Sequence, residues 1–265
     1  MRPISSEELK QIQVSILDEV HKFCVEHNIK YFLAFGTLIG AVRHNGYIPW
    51  DDDIDILMPR PDYERFVREF CHENLDTFHF NSSRKDLIVF CKVFDKRTTF
   101  IEESSLNYEG LGVNIDVFPF DGLSSDYNIA QKHVRNVMRW TTISIIKKMS
   151  IKHKRVWYKT LTIALLQMIL SIIPYRYVIG KICNLMKKYD YESSKYVVHL
   201  YDAQLCKIMP KDVFEELMLI DFEGRKFYAP KNYHEYLTTY YGDYMKLPPV
   251  EKRQSHHFYE AYWKV

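Results

Sequence analysis

Four aspartates fill five positions, Asp51, Asp52, Asp53 and Asp55, and the chain then runs straight into Ile56, Leu57 and Met58. No other stretch narrows the fold as much. Like charges repel, and a carboxylate buried without a partner costs several kcal/mol. The run therefore needs either full solvation or a cation. Strand side chains alternate faces, so a strand over 53–58 turns Asp53 and Asp55 to one side and Ile54 and Ile56 to the other. Two residues cover about 6.6 Å along a strand, close enough for both carboxylates to converge on one divalent ion. Asp51 shares their parity and joins the ligand set. Asp52 has the other parity and reads as a solvated or orienting group. Hard oxygen donors suit Mg²⁺, with Mn²⁺ as a second choice. An acidic surface turn is the plain alternative. A calcium loop of the EF-hand kind is excluded, because its sixth position holds Ile56 where glycine is needed and its twelfth holds Asp62 where glutamate is needed.

Asp116 lies inside a second apolar run, between Ile115 and Val117. A charge there needs a partner. It reads as a third metal ligand or as a general base beside Asp53 and Asp55. Upstream, an expected strand over 31–35 breaks at Gly36-Thr37, and a short helix follows. Glycine lets a phosphate come close, and a helix N-terminus offers unpaired N–H groups and the positive end of the dipole. Arg43 and His44 end that helix and are phosphate candidates, though cations at a helix C-terminus are favoured by the dipole alone. Lys92 interrupts the apolar run 87–95 and reads as facing the same cleft or as an edge-strand lysine. Trp50, beside the carboxylates, could stack on a base, wall off a quaternary ammonium group, or simply pack.

The 265 residues are 47% hydrophobic and carry a net charge of +2, so the chain buries a core, and nothing in the charge argues for nucleic acid. Five widely spaced cysteines with no Cys-x-x-Cys pair argue against a disulfide framework or a thiolate zinc site. The N-terminal stretch has no apolar signal core. These points lead to the expectation of a cytoplasmic protein. Residues 161–173 carry no charge but are too few to span a bilayer, and the segment 146–159 before them holds six Lys or Arg. This region, 147–173, reads either as a buried core helix with a solvated lead-in or as a helix lying on an anionic membrane surface. His256 and His257 read as surface residues.

Along the chain, Ser5 and Glu8 form a capping box for a helix carrying Leu9, Ile12, Ile16, Leu17 and Val20 at helical spacing. Pro59 and Pro61 close the 53–58 strand, and a helix follows with Asp62 as its expected N-cap. Strands are expected at 87–95, 98–103 and 111–120, helices over about 125–190, a hairpin turning near Glu223-Gly224, and a helix ending at Gly242. The expected class is α/β (α+β): a mixed sheet with helices over 1–123, then a mainly helical part over 124–265 that completes the same globule.

The order apolar-Gly-Thr, then Asp-Ile-Asp-Ile, then Ile-Asp-Val resembles the nucleotidyltransferase superfamily with its polymerase-β-like fold. Thr37 stands where serine is usual. The longer stretch FGTLIGAVRHNGYIPWDDDIDILMPRPDYERF resembles one branch closely, the LicD family, which also contains the fukutin-related proteins. NIDVFPFDGL and YGDYMKLPPVEKR are similar to it too. The resemblance implies transfer of a phospho-alcohol from a CDP-activated donor, CDP-choline or another CDP-alcohol, to a sugar hydroxyl of a lipid-linked or polymeric glycan at the inner face of the cell membrane. It matches Asp53 and Asp55 to a metal-binding pair, Asp116 to the third acidic position, and Gly36 and Thr37 to a phosphate-binding turn.

Overall fold

The computed structural model describes residues 1–79, 88–102, 110–149, 156–201, 205–253 and 259–264. Its centre is a mixed sheet ordered β2 (Phe32–Leu33), β3 (Asp55–Pro59), β7 (Asn114–Leu123), β5 (Cys91–Asp95), β4 (Leu75–Phe78). Only β3 and β7 run parallel; the other neighbours are antiparallel. The far end of β7 pairs with β8 (Tyr196–Val198), and β8 with β9 (Met209–Pro210). A smaller antiparallel sheet joins β1 (Arg2–Pro3), β12 (Tyr259–Trp263) and β6 (Thr98–Glu102). β10 (Leu217–Phe222) and β11 (Arg225–Pro230) form the expected hairpin, turning through Glu223 and Gly224, both at positive φ. The class is α+β, as the sequence leads one to expect.

Helix α1 (Ser6–Glu26) begins as the capping box requires: the Ser5 hydroxyl accepts a bond from the Glu8 N–H. It buries Leu9, Ile12, Ile16, Leu17 and Val20. Helix α2 (Phe35–His44) starts at Phe35, ahead of the expected break at Gly36-Thr37, so the preceding strand shrinks to Phe32 and Leu33. Helix α3 (Arg60–Glu69) follows β3 without a loop; Pro59 is its N-cap and Asp62 sits in the first turn, not at the cap. Helices α4 (Tyr127–Lys148), α5 (Trp157–Leu170) and α6 (Tyr175–Met186) fill the expected helical stretch, and α7 (Tyr233–Tyr241) stops at Gly242.

Three further expectations are corrected. The acidic strand begins at Asp55, not at Asp53, because its ladder with β7 opens only where the Asp116 N–H donates to the Ile54 carbonyl. Residues 51–54 are loop, led in by a turn closed from Asp51 N–H to Ile48 C=O. The buried-core reading of 161–173 also fails, since α5 buries none of its residues. β7 runs to Leu123, past the expected strand end at 120, and Asp121 within it is neutralised in the interior: the Arg60 guanidinium grips it at 2.6 and 2.9 Å. His256 and His257 lie outside the described residues.

Candidate active site

The parallel pair β3–β7 places Asp55 directly opposite Asp116. On the other side of β7, Lys92 of β5 stands opposite the same Asp116. The Lys92 ammonium donates to the Asp116 carboxylate and, at 3.2 Å, to the Asn114 amide oxygen. One row across three strands therefore reads acid, acid, base. The loop before β3 adds the rest of the charge. Oxygens of Asp51, Asp52 and Asp53 lie within 4.8 Å of one another. Asp52 thus joins the cluster; the parity that set it apart does not apply to a loop. Burial, followed by the charges of Asp53, Asp116 and Asp51, pushes the Asp55 carboxyl well above its usual range, against a lowering pull from Lys92.

Helix α2 aims its first turn at this cluster and has no side-chain cap. Phe35 opens it at φ 46°, a left-handed conformation that costs a bulky residue energy, held by buried packing against Phe118, His199, Tyr236 and Tyr240. Gly36 is fixed by proximity: a Cβ there would sit 2.7 Å from an Asp51 carboxylate oxygen. Thr37 is buried, and its hydroxyl accepts the Asp55 N–H at 2.8 Å, pinning the helix start to the first residue of β3. Glycine and threonine here join two pieces of the site; their backbone leaves the helix N-terminus facing the acids.

A cavity of about 110 Å³ opens beside the cluster, lined by Asp52, Asp53, Asp116, Lys92, Asn114 and Tyr259 among others. Gln13, buried on α1, donates to the Asp52 and Asn114 carbonyls at 3.0 and 3.2 Å and accepts from the Tyr47 hydroxyl. Tyr241, at the end of α7, faces the same acids: burial and the charges of Asp55, Asp51 and Asp53 all raise its hydroxyl.

Arg43 and His44 gather at the other end of α2. The Arg43 guanidinium donates to the Tyr244 carbonyl at 2.8 Å and to the His44 ring at 2.9 Å. Burial and then the Arg253 charge lower Arg43, and burial and then Arg43 lower His44. Arg253 lies 5.6 Å over the Trp50 ring and donates to the Pro248 carbonyl. So Asp51, Asp53, Asp55, Asp116, Gly36, Thr37 and Lys92 meet at one end of α2, while Arg43 and His44 form a basic group at its other end. Gln13, Asn114, Tyr241, Arg253 and Tyr259 had not been singled out. Asn114 is two residues before Asp116 and so shares its face; that parity was legible. Gln13 is a polar residue within an apolar helical stripe. The rest arrive from distant chain segments.

The donor set is oxygen-rich, negatively charged and clustered, which fits a divalent cation of the hard kind. Asp51, Asp52 and Asp53, whose oxygens converge, are suited to hold it, with Asp55 and Asp116 on the adjoining strands.

Comparison with known proteins places this geometry. A family profile described as LicD/FKTN/FKRP, nucleotidyltransferase domain, matches residues 28–154, which span α2, the acidic loop and Asp116. The lipopolysaccharide cholinephosphotransferase LicD of Haemophilus influenzae is 34% identical over 273 residues, covering 99% of each chain. Shorter matches reach two uncharacterized rickettsial proteins: one of Rickettsia prowazekii, 40% identical over 20% of this chain and 23% of its own, and one of Rickettsia typhi, 51% identical over 16% and 13%. A match that runs the full length of both chains, on a site with these acids in these places, shows that this chain belongs to the LicD family.

Proposed function

We propose that the protein transfers phosphocholine, or a related phospho-alcohol, from a CDP-activated donor to a sugar hydroxyl of a cell-surface glycan precursor, at the cytoplasmic face of the membrane. The observation that carries this reading is the Asp55–Asp116 pair on parallel strands beneath the Gly36 helix start, in a chain aligned end to end with a relative named a lipopolysaccharide cholinephosphotransferase. The acceptor oxygen forms a bond to the phosphorus that bears the alcohol. The bond from that phosphorus to the bridging oxygen breaks, and CMP leaves. Asp51, Asp53, Asp55 and Asp116 would hold Mg²⁺, or Mn²⁺ in its place; a bound cation offsets the diphosphate charge and polarises the phosphoryl oxygens.

The chain's own groups do the remaining work. The first turn of α2 binds phosphate oxygens through its backbone N–H groups. Asp116, kept in place by Lys92, orients the acceptor hydroxyl and takes up its proton. Arg43 with His44 and Trp50 bind the nucleotide end of the donor, and peripheral contact through residues 147–173 brings the site to a lipid-linked acceptor. Purified protein with CDP-choline, Mg²⁺ and a glycan acceptor should release CMP, and Asp55→Asn should lower turnover by orders of magnitude without unfolding the chain. A folded protein that releases no CMP from CDP-choline, CDP-glycerol or CDP-ribitol would refute the reading; a preference among the three names the transferred alcohol.

A further inference from the structure

Helix α5 is built the wrong way round for a helix in water. Its inner stripe, Thr160, Ile163, Ala164, Gln167 and Leu170, is partly covered, and part of that stripe is polar. The Gln167 amide donates to the Ile146 and Met149 carbonyls at 2.8 and 2.7 Å, and the Lys147 ammonium donates to the Leu170 carbonyl. The apolar residues point away from the protein: Trp157 is 75% exposed, Met168 65%, Ile169 63% and Ile172 85%, with Leu161 and Leu165 between them. A soluble helix turns its apolar face inward.

Charge says what covers this face. Residues 127–189 hold 13 Lys or Arg and no Asp or Glu, leaving 23 Lys or Arg against 34 Asp or Glu in the rest of the chain. A nearly neutral protein therefore has one strongly basic unit, α4–α5–α6, on an acidic body. Lys132, Arg135 and Arg139 lie exposed on one face of α4, and Lys159 on α5. Exposed Trp157, Tyr158 and Tyr177 flank the apolar stretch, rings that suit the boundary between hydrocarbon and water. A second protein copy would bring the same positive charge to the contact. Among the described residues no single helix is long and apolar enough to cross a membrane; α5 and α6 reach that length only as a pair bent by 85°.

We infer that the α4–α5–α6 unit seats the protein on an anionic lipid bilayer, with α5 lying flat at the headgroup level and its outward residues among the acyl chains. This deepens the proposed reaction by naming the surface on which a lipid-linked acceptor is met, and it rests on that reading only for its purpose.

The test is flotation of the full chain with vesicles of phosphatidylcholine alone or with 30% phosphatidylglycerol (about a third anionic lipid, ample for a polybasic surface). No nucleotide or acceptor is added. Binding to the anionic vesicles should exceed binding to the neutral ones by about 10-fold or more, and should fall as salt shortens the Debye length from about 10 Å. Met168→Glu with Ile172→Glu alters two exposed positions, so folding by circular dichroism should be unchanged while vesicle binding drops by about 10-fold or more. CMP release with a water-soluble acceptor should be equal in this variant and the parent, which separates failure of docking from failure of the chemistry. Equal binding to both vesicle types, or undiminished binding by the variant, overturns the inference. So does a dimer in vesicle-free solution that the variant dissociates, for then a second copy covers the face.

Discussion

Gly36 and Asp51 show how little room the site allows. A Cβ placed 2.7 Å from a carboxylate oxygen must push the Asp51 side chain aside. Gly36→Ala should leave the thermal midpoint nearly unchanged and cut kcat/KM by about 100-fold, the scale expected when reacting groups move by an ångström; a donor-saturation series measures it. His199 carries a different prediction. It is buried against Phe35, Phe118 and Tyr201, and burial lowers its ring pKa to about 3. The unfolded chain takes up this proton near 6.5, the folded chain only near 3. The stability held here is complete above pH 6.5 and drains away as pH falls toward 3, at ~1.4 kcal/mol per pH unit for this group. His199→Phe keeps an aromatic ring in place and should flatten the slope of thermal midpoint against pH between 6.5 and 4. An unchanged slope would assign the acid limb to other groups.

At the level of elements, α3 and β7 are joined by a buried charged pair. Arg60 begins α3 and Asp121 lies near the end of β7, 1% exposed at its side chain, with Glu64 and Lys187 extending the network to the end of α6. Removing one partner strands the other charge in the interior. Arg60→Ala should therefore cost about 3–5 kcal/mol in a denaturant titration, far more than loss of an exposed pair such as Lys226–Asp221. The sequence made some elements legible and hid others for physical reasons. The α1 cap, the Glu223-Gly224 hairpin and the Gly242 stop rest on local chemistry, and all three stand. The start of β3 depends on where β7 begins to pair with it, a fact that alternation of Asp and Ile does not contain. The expected strand stopped at 120, short of Asp121, whose partner is 61 positions away. The acid cluster was legible because four carboxylates are contiguous or nearly so. Tyr241 and Tyr259 were not, because they reach it from the far end of the chain.

Across the whole molecule, that far end closes the structure. β12 lies between β1 and β6, so residues near both ends of the chain share one sheet, and the Trp263 indole donates to Glu8 of α1. Tyr259, on β12, walls the cavity beside Asp116 and stacks on Phe100. Truncation after residue 253 removes the central strand of this sheet and one wall of the site. It should abolish CMP release and lower the thermal midpoint by several degrees, whereas removal of Val265 alone should do neither. A full-activity truncation would show that the cavity takes no part in the reaction.

The uneven distribution of charge along the chain has a mechanical meaning. With a positive helical lobe on a negative body, the molecule is an electric dipole, and a negatively charged plane exerts a torque on it within a Debye length of the surface. On the membrane seat inferred above, the lobe would be drawn forward and the body held off, so the protein would rotate into its working attitude before any side chain met lipid.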